Sequence, residues 1–363
     1  MKTLILYCCL AIVSLFGAKL FAQTNTEAES SMANSIANDE RIQFFRTAGI
    51  LDAAKNTWRI PLHGWVYEPQ QSRFRKALFS LALRLKYGFQ VGEEAKSYYE
   101  RRLNLLIADN ERNKEVLVRI AGQQFIMPLS TANGHFAMTV SIANGAIEQH
   151  RDDDFLPYAA NTKDGRIFTG QVQLLAPQGM SVISDIDDTI KISEVLDHQR
   201  LIENTFLKEF HPVAGMTEVY QNLADMGLAF HYVSSSPWQL YAPLEEFVDN
   251  AGFPWATFSL KAIRFRDLTL FDLFKSGLET KPRQIESILE QYPQRQFILI
   301  GDSGEQDPEV FSAMLAKYPD RIAHVFIRNI TAENIDNERF SVLVNSAKDW
   351  TLVEDPVKIQ FAR

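Results

Sequence analysis

Between Arg41 and about Gln178 apolar and polar positions alternate in short runs: Trp58 to Val66, Glu115 to Ile120, Gln124 to Pro128, His135 to Ile142 and Ile167 to Leu175. Asn133-Gly134, Asn144-Gly145 and Asp164-Gly165 lie between such runs. A period of two broken by these dipeptides predicts half-buried strands joined by tight turns, hence a β-rich, sandwich-like unit over residues 41–178. One stretch departs from that period. From Arg73 to Phe89 the spacing is helical, with Arg73, Lys76, Ser80 and Arg84 on one stripe and Phe74, Leu78, Leu81 and Leu85 opposite. Such a basic amphipathic helix suits either a phospholipid headgroup layer or the outside of a sandwich with its cations snorkelling. The second placement is expected, because core-packed amphipathic helices are far commoner, and peripheral membrane contact is left open.

From Met180 the pattern changes. Short apolar runs at Ser181 to Ser184, Ala229 to Val233, Gln296 to Ile300 and Ala323 to Ile327 alternate with helical stretches at Met216 to Met226, Leu240 to Asn250, Pro282 to Gln291 and Glu309 to Tyr318. That order predicts an α/β unit over residues 179–345 with a doubly wound, Rossmann-like parallel sheet, and residues 346–363 as a tail. Chemistry in such sheets gathers at the carboxyl ends of the strands.

The beginning of the chain reads as an address. Lys2, an apolar run from Thr3 to Ala18 and then Lys19-Leu20-Phe21-Ala22 fit a signal peptide cut after Ala22, with an uncleaved anchor as the alternative. Residues 23–40 are small and polar, as in a linker. Both cysteines, Cys8 and Cys9, lie inside the leader, so an exported product in the periplasm or medium would carry no thiol and rest on its core. The net charge of -8 over 363 residues disfavours a general nucleic-acid binder.

The sharpest chemistry is Val182-Ile183-Ser184-Asp185-Ile186-Asp187-Asp188-Thr189, an apolar strand that runs into three carboxylates. Like charges at a buried strand end are costly unless a cation or catalysis requires them. Asp185 and Asp187 are two apart and lean to one side of an extended chain, so both can address one phosphorus centre. One can attack while the other, its pKa raised, acts as general acid and then base. Phe297 to Ile300 likewise empties into Gly301-Asp302-Ser303-Gly304-Glu305-Gln306-Asp307, a hard oxygen site suited to Mg²⁺. Val233 leads into Ser234-Ser235-Ser236, whose hydroxyls and N–H groups can hold phosphate oxygens. Lys281 opens a helix against the dipole, which makes sense beside carboxylates or phosphate. Trp238, Phe253, Trp255, Phe258 and Phe271 are read as core packing rather than as an acyl-chain surface.

The order Asp-x-Asp-x-Thr, strand-Ser, Lys, Gly-Asp-x-x-x-x-Asp resembles the haloacid dehalogenase (HAD) superfamily. Asn204-Thr205-Phe206-Leu207, Pro212-Val213-Ala214-Gly215-Met216, Phe230 to Leu240 and Gly301 to Glu309 look like the phosphatidate phosphatase catalytic-domain family of the fungal actin-patch type, over about residues 180 to 330. The resemblance implies a Mg²⁺-dependent phosphatase acting on phosphatidate through an aspartyl-phosphate on Asp185, with Asp187 as general acid/base. It places Mg²⁺ on Asp185, the Asp187 carbonyl and Asp302, with Asp307 as a further or outer ligand. Ser234, Ser235 and Thr189 would bind substrate, and Lys281 would balance charge. Short spacers between these segments imply a small cap or none. A soluble or protein-borne phosphomonoester is the alternative substrate, and a non-enzymatic membrane-docking module the alternative class.

Overall fold

The computed structural model describes residues 36–70, 72–262, 280–344 and 350–360. The N-terminal unit holds β1 (Arg41–Phe44), β2 (Thr47–Asp52), β3 (Thr57–Glu68), α1 (Arg73–Tyr87), α2 (Lys96–Leu106), β4 (Asp109–Asn110), β5 (Leu117–Ile120), β6 (Gln123–Ile126), β7 (His135–Ala143), α3 (Asn144–Glu148), β8 (Phe155–Asn161) and β9 (Ile167–Leu175). In this β-rich unit, expected to be sandwich-like, hydrogen bonding runs unbroken through one nine-stranded sheet, β1-β3-β2-β9-β8-β5-β6, with β4 and β7 also on β3. It closes on a core that includes Phe44, Trp58, Ile60, Leu62, Val118, Phe136 and Leu156. The unit begins before Arg41: Ile36 is buried in this core, and the buried Glu40 pairs with Lys114. The linker expected through residue 40 therefore ends sooner.

The amphipathic helix forms at Arg73–Tyr87, capped by Ser72, whose hydroxyl accepts from Arg75 N at 3.3 Å, and closed by Gly88 at φ 71°. Its orientation corrects the expectation. Leu83 is the buried residue, with Phe79 and Tyr87 partly buried beside it, and they pack with Tyr99 and Leu103 of α2, a helix the alternation did not suggest. Phe74, Leu78, Leu81 and Leu85 face solvent.

The second unit is a six-stranded parallel sheet, ordered β12 (Ala256–Lys261), β11 (Ala229–Pro237), β10 (Gly179–Ser184), β13 (Arg295–Asp302), β14 (Ile322–Arg328), β15 (Trp350–Val353). In chain order this is 3-2-1-4-5-6, the doubly wound arrangement, whose crevice opens where the order reverses beside the first strand. The expected tail from residue 346 instead supplies the edge strand β15. Alternate residues separate the two faces. Val182, Phe230, Ile298 and Ile300 meet α5 (Met216–Asp225) and α6 (Tyr241–Asn250), while Ile183, Val233, Phe297 and Leu299 meet α7 (Lys281–Gln291) and α8 (Asp307–Lys317). A nine-residue helix, α4 (His198–Phe206), follows the first strand end and is capped by Asp197.

The units are held together closely. Arg46 pairs with Glu245 at 3.0 Å and Asp249 at 2.7 Å, and Tyr292 Oη donates to Ala48 O at 2.8 Å. His63 and His135, 3.0 Å apart, meet Trp238, which follows the β11 strand end.

Candidate active site

Parallel register sets the site. Ser184 lies beside Ile300 on one side and Tyr232 on the other, so the residues that follow emerge together at one end of the sheet. Asp185 N donates to Ile300 O at 2.9 Å, extending the ladder one residue into the loop. Asp185, Asp302 and Asp307 are all buried, and one oxygen from each lies within 4.8 Å of the others. Asp307 reaches them from the start of α8, where its Oδ2 accepts from Asp302 N at 3.2 Å. A Cβ on Gly301 would stand 2.3 Å from that oxygen, so glycine here makes room for the carboxylate.

Lys281 is enclosed with them. Its Nζ is 2.7 Å from Asp185 Oδ1, 2.5 Å from Asp307 Oδ1 and 3.0 Å from Glu305 Oε2. Its hydrogen bonds go to Asp307 and Glu305, so Asp185 Oδ1 is close to the ammonium but among the described residues has no directed hydrogen bond. Burial disfavours the charged Lys281, but Asp185, Asp307, Glu305 and Asp302 outweigh it and hold the ammonium well above its ordinary pKa. Burial lifts the Asp185 carboxyl well above the usual range; Lys281 opposes the rise and Asp307, Glu305 and Asp302 add to it. Asp302 is likewise raised by burial and by Asp307 against the pull of Lys281. Four carboxylates around one ammonium leave an excess of negative charge and an undirected oxygen, which is what a hard divalent cation would satisfy. Mg²⁺ therefore fits these residues.

Asp187 faces the other way. Its Oδ1 is 2.8 Å from Lys191 Nζ and accepts from Ser193 Oγ at 2.6 Å; its Oδ2 accepts from Ser234 Oγ and Ser236 Oγ, each at 3.3 Å. Burial pushes its pKa up, but Lys191, with Ser193 and Lys281, outweighs burial and leaves it below the ordinary value. The expected raised pKa thus belongs to Asp185, and Asp187 starts ionised. Asp188, at φ 54°, turns its carboxylate back onto the N–H groups of Ser193, Glu194 and Val195 at 2.8, 2.9 and 2.6 Å, which folds the loop under Asp187.

The other expected site residues divide. Ser235 lines a small cleft with Asp187, Ser236 and Glu305, and among the described residues its hydroxyl has no hydrogen-bond partner. Ser234 is buried behind it, bonded to Asp187 and to Ser236 N at 2.9 Å. Thr189, expected among the substrate-binding residues, is fully buried, and its Oγ1 lies 3.3 Å from both Asp185 Oδ2 and Asp302 Oδ2, where it braces the carboxylates. The apolar part of the cleft lining is formed by Val195, Leu201, Phe206, Pro237 and Leu240. Trp238, Phe253 and Phe258 are core residues, as expected; Trp255 packs partly buried against Phe155, and Phe271 lies outside the described residues.

Lys191 and Ser193 are the residues of the site that sequence reasoning missed; Asp188, Ser236 and Glu305 stood within segments already singled out. Lys191 is 2% exposed and sits over the Phe210 ring at 4.9 Å, a partner nineteen residues away that no local pattern reveals.

Residues 180–329 match the family model described as phosphatidate phosphatase APP1, catalytic domain. An uncharacterized protein of Schizosaccharomyces pombe is 30% identical over 171 residues, 46% of this chain and 28% of its own length. Phosphatidate phosphatase APP1 of Saccharomyces cerevisiae is 32% identical over 206 residues, 53% of this chain and 34% of its own. The chain thus spans about a third of the length of these curated relatives. A solved Thermotoga maritima structure, described as a beta-phosphoglucomutase, covers 48% of this chain and 94% of its own at 14% identity, with a TM-score of 0.28, too low to argue from.

Proposed function

We propose, for a chain whose residues 180–329 match the model of the phosphatidate phosphatase APP1 catalytic domain, that the protein hydrolyses a lipid phosphomonoester of the phosphatidate type. The observation that carries this is the convergence of Asp185, Asp302, Asp307 and Lys281 at adjoining strand ends, with Asp187 and the unpartnered Ser235 hydroxyl at the cleft beside them. Apolar walls at Val195, Leu201, Phe206 and Leu240 suit a hydrophobic alcohol as leaving group.

An Asp185 oxygen attacks phosphorus in line, forming an acyl phosphate as the bond to the alcohol oxygen breaks. Asp187 gives its proton to that departing oxygen. It has to gain the proton first, and a phosphate dianion brought against it raises its proton affinity above the value Lys191 imposes. Asp187 then takes a proton from the water that attacks the same phosphorus, releasing inorganic phosphate and the Asp185 carboxylate. Ser235 Oγ and nearby N–H groups hold nonbridging oxygens, and Lys281 pulls Asp185 toward the ionised form that attacks, against burial. Mg²⁺, held by Asp185, Asp302, the Asp187 carbonyl and Asp307, would supply positive charge to the carboxylates and the transferring phosphoryl group. Export through residues 1–22 is part of the same proposal.

The test is phosphate release by the full chain, with Mg²⁺ or EDTA, from phosphatidate in mixed micelles and from a water-soluble phosphomonoester. Mg²⁺-dependent preference for phosphatidate is expected. Equal or better turnover of the soluble ester would reject the lipid substrate while keeping the chemistry, and no release from either would reject both.

A further inference from the structure

At 3.6 residues per turn, Phe74, Leu78, Leu81 and Leu85 of α1 fall within an arc of about 60°. All four are open to solvent, at 76%, 58%, 51% and 75% exposure, while Leu83 on the far side of the helix is buried in the core it shares with Tyr99 and Leu103 of α2. A solvent-facing stripe of one phenylalanine and three leucines is unlike the scattered apolar residues of an ordinary surface. Arg73 and Arg84 flank it on one side, Arg75 and Lys86 on the other. The helix carries these four cations and Lys76 with no acid, on a chain whose net charge is -8. Fifteen residues with five charges cannot cross a bilayer, and no helix of the described residues is long and apolar enough to do so.

We infer that the exposed stripe of α1 docks in the plane of an anionic phospholipid surface. The leucines and Phe74 enter the acyl boundary, while the flanking cations meet headgroup phosphates. Charge complementarity selects this occupant over a second copy of the chain, because a self-contact would set two sets of like-charged cations face to face. Position gives the contact a purpose. The Tyr87 ring, at the end of α1, lies 5.4 Å from that of His198, the first residue of α4. Leu201 and Phe206 of α4 form the cleft wall, and the adjoining loop exposes Leu196 at 60% one residue beyond the cleft residue Val195. α1 thus lies beside the helix that forms the cleft wall.

This extends the lipid-phosphate reading but is tested apart from it. Full chain is sedimented with phosphatidylcholine vesicles, with and without phosphatidylserine, an anionic lipid that is not a phosphomonoester and so does not report on the catalytic site. Binding to the phosphatidylserine vesicles alone is expected, weakening with salt. Leu78→Glu/Leu81→Glu and Arg73→Glu/Arg84→Glu should each lower it by about tenfold or more while leaving turnover of a soluble phosphoester unchanged. Equal binding by wild type and both variants would overturn the inference. So would a wild-type dimer without vesicle affinity that Leu78→Glu/Leu81→Glu turns into a monomer. Binding lost in the variants supports docking whether or not phosphatidate is hydrolysed, so the two readings fail separately.

Discussion

Lys191 Nζ stands 2.8 Å from Asp187 Oδ1, beneath the carboxylate that faces the cleft, and it is the largest influence holding Asp187 below its ordinary pKa against burial. Replacing it, as Lys191→Gln, raises the proton affinity of Asp187. The protonated form needed by the leaving group then persists to higher pH, so the alkaline limb of kcat/KM moves upward. A change in rate with no movement of that limb would make Lys191 a purely structural residue. Stability should also fall, on the order of 3 kcal/mol, because a buried carboxylate loses its charge partner.

Asp185→Asn should reduce phosphate release at least about a thousandfold. Its effect on stability has the opposite sign from a usual buried deletion. The Asp185 pKa is raised in the fold, so its ionised form is a burden at neutral pH, and removing the charge relieves it. In EDTA the variant should melt no lower than wild type; with Mg²⁺ it should gain less than wild type does. Activity within about tenfold of wild type would remove Asp185 from the nucleophile role.

At Gly301 a methyl group would meet Asp307 Oδ2 at 2.3 Å and its Cβ at 2.8 Å. Gly301→Ala should displace Asp307 from Asp302 N and Lys281 at a cost of about 1 to 3 kcal/mol. A Mg²⁺ titration of activity should shift to higher concentration. An unchanged titration would place Asp307 outside the set of groups that hold the ion.

Acid should destabilise the fold through buried neutral histidines. His231 is enclosed, bonded to Thr257 Oγ1 at 2.7 Å, and burial lowers its pKa from 6.5 to about 3. Its contribution is fully present above pH 6.5 and is lost as pH falls from there toward about 3, reaching about 2 kcal/mol at about pH 5. His63 and His135, lowered to about 3 and about 4, act in the same direction but less, since both are only partly buried. Urea midpoints at about pH 7 and 5 for wild type and His231→Gln should differ in slope by about one proton. Equal slopes would show that His231 takes up its proton without unfolding.

The two acidic strand ends were legible because Val182-Ile183 and Phe297 to Ile300 are unbroken apolar runs, the mark of a strand covered on both faces. What escaped was set by distant partners. Ile190-Lys191-Ile192-Ser193 alternates as an exposed strand would, and Phe210, Asp187 and the Ser193 hydroxyl make a buried ammonium tolerable there. The strand β15 is four residues long and was lost in the segment read as a tail, though Trp350, Thr351 and Val353 favour a strand. Helix α4 carried a signal, Asp197 as cap followed by Leu201, Ile202 and Phe206. In α1 the sequence held two apolar stripes, and the weaker one, Phe79, Leu83 and Tyr87, turned inward because α2 offers Tyr99 and Leu103 to it.

Between Leu175 and Gly179 the chain crosses from one sheet to the other in three residues, and Arg295 spans the crossing. Its guanidinium donates to the carbonyls of Ala176 at 2.8 Å, Gln178 at 3.0 Å and Met180, and to Ser181 Oγ at 2.9 Å. A hinge with so few free torsions has already given up its rotational entropy during folding. Whatever the N-terminal unit lands on, the cleft arrives at a preset angle, and aiming it costs no further freedom at the moment of encounter.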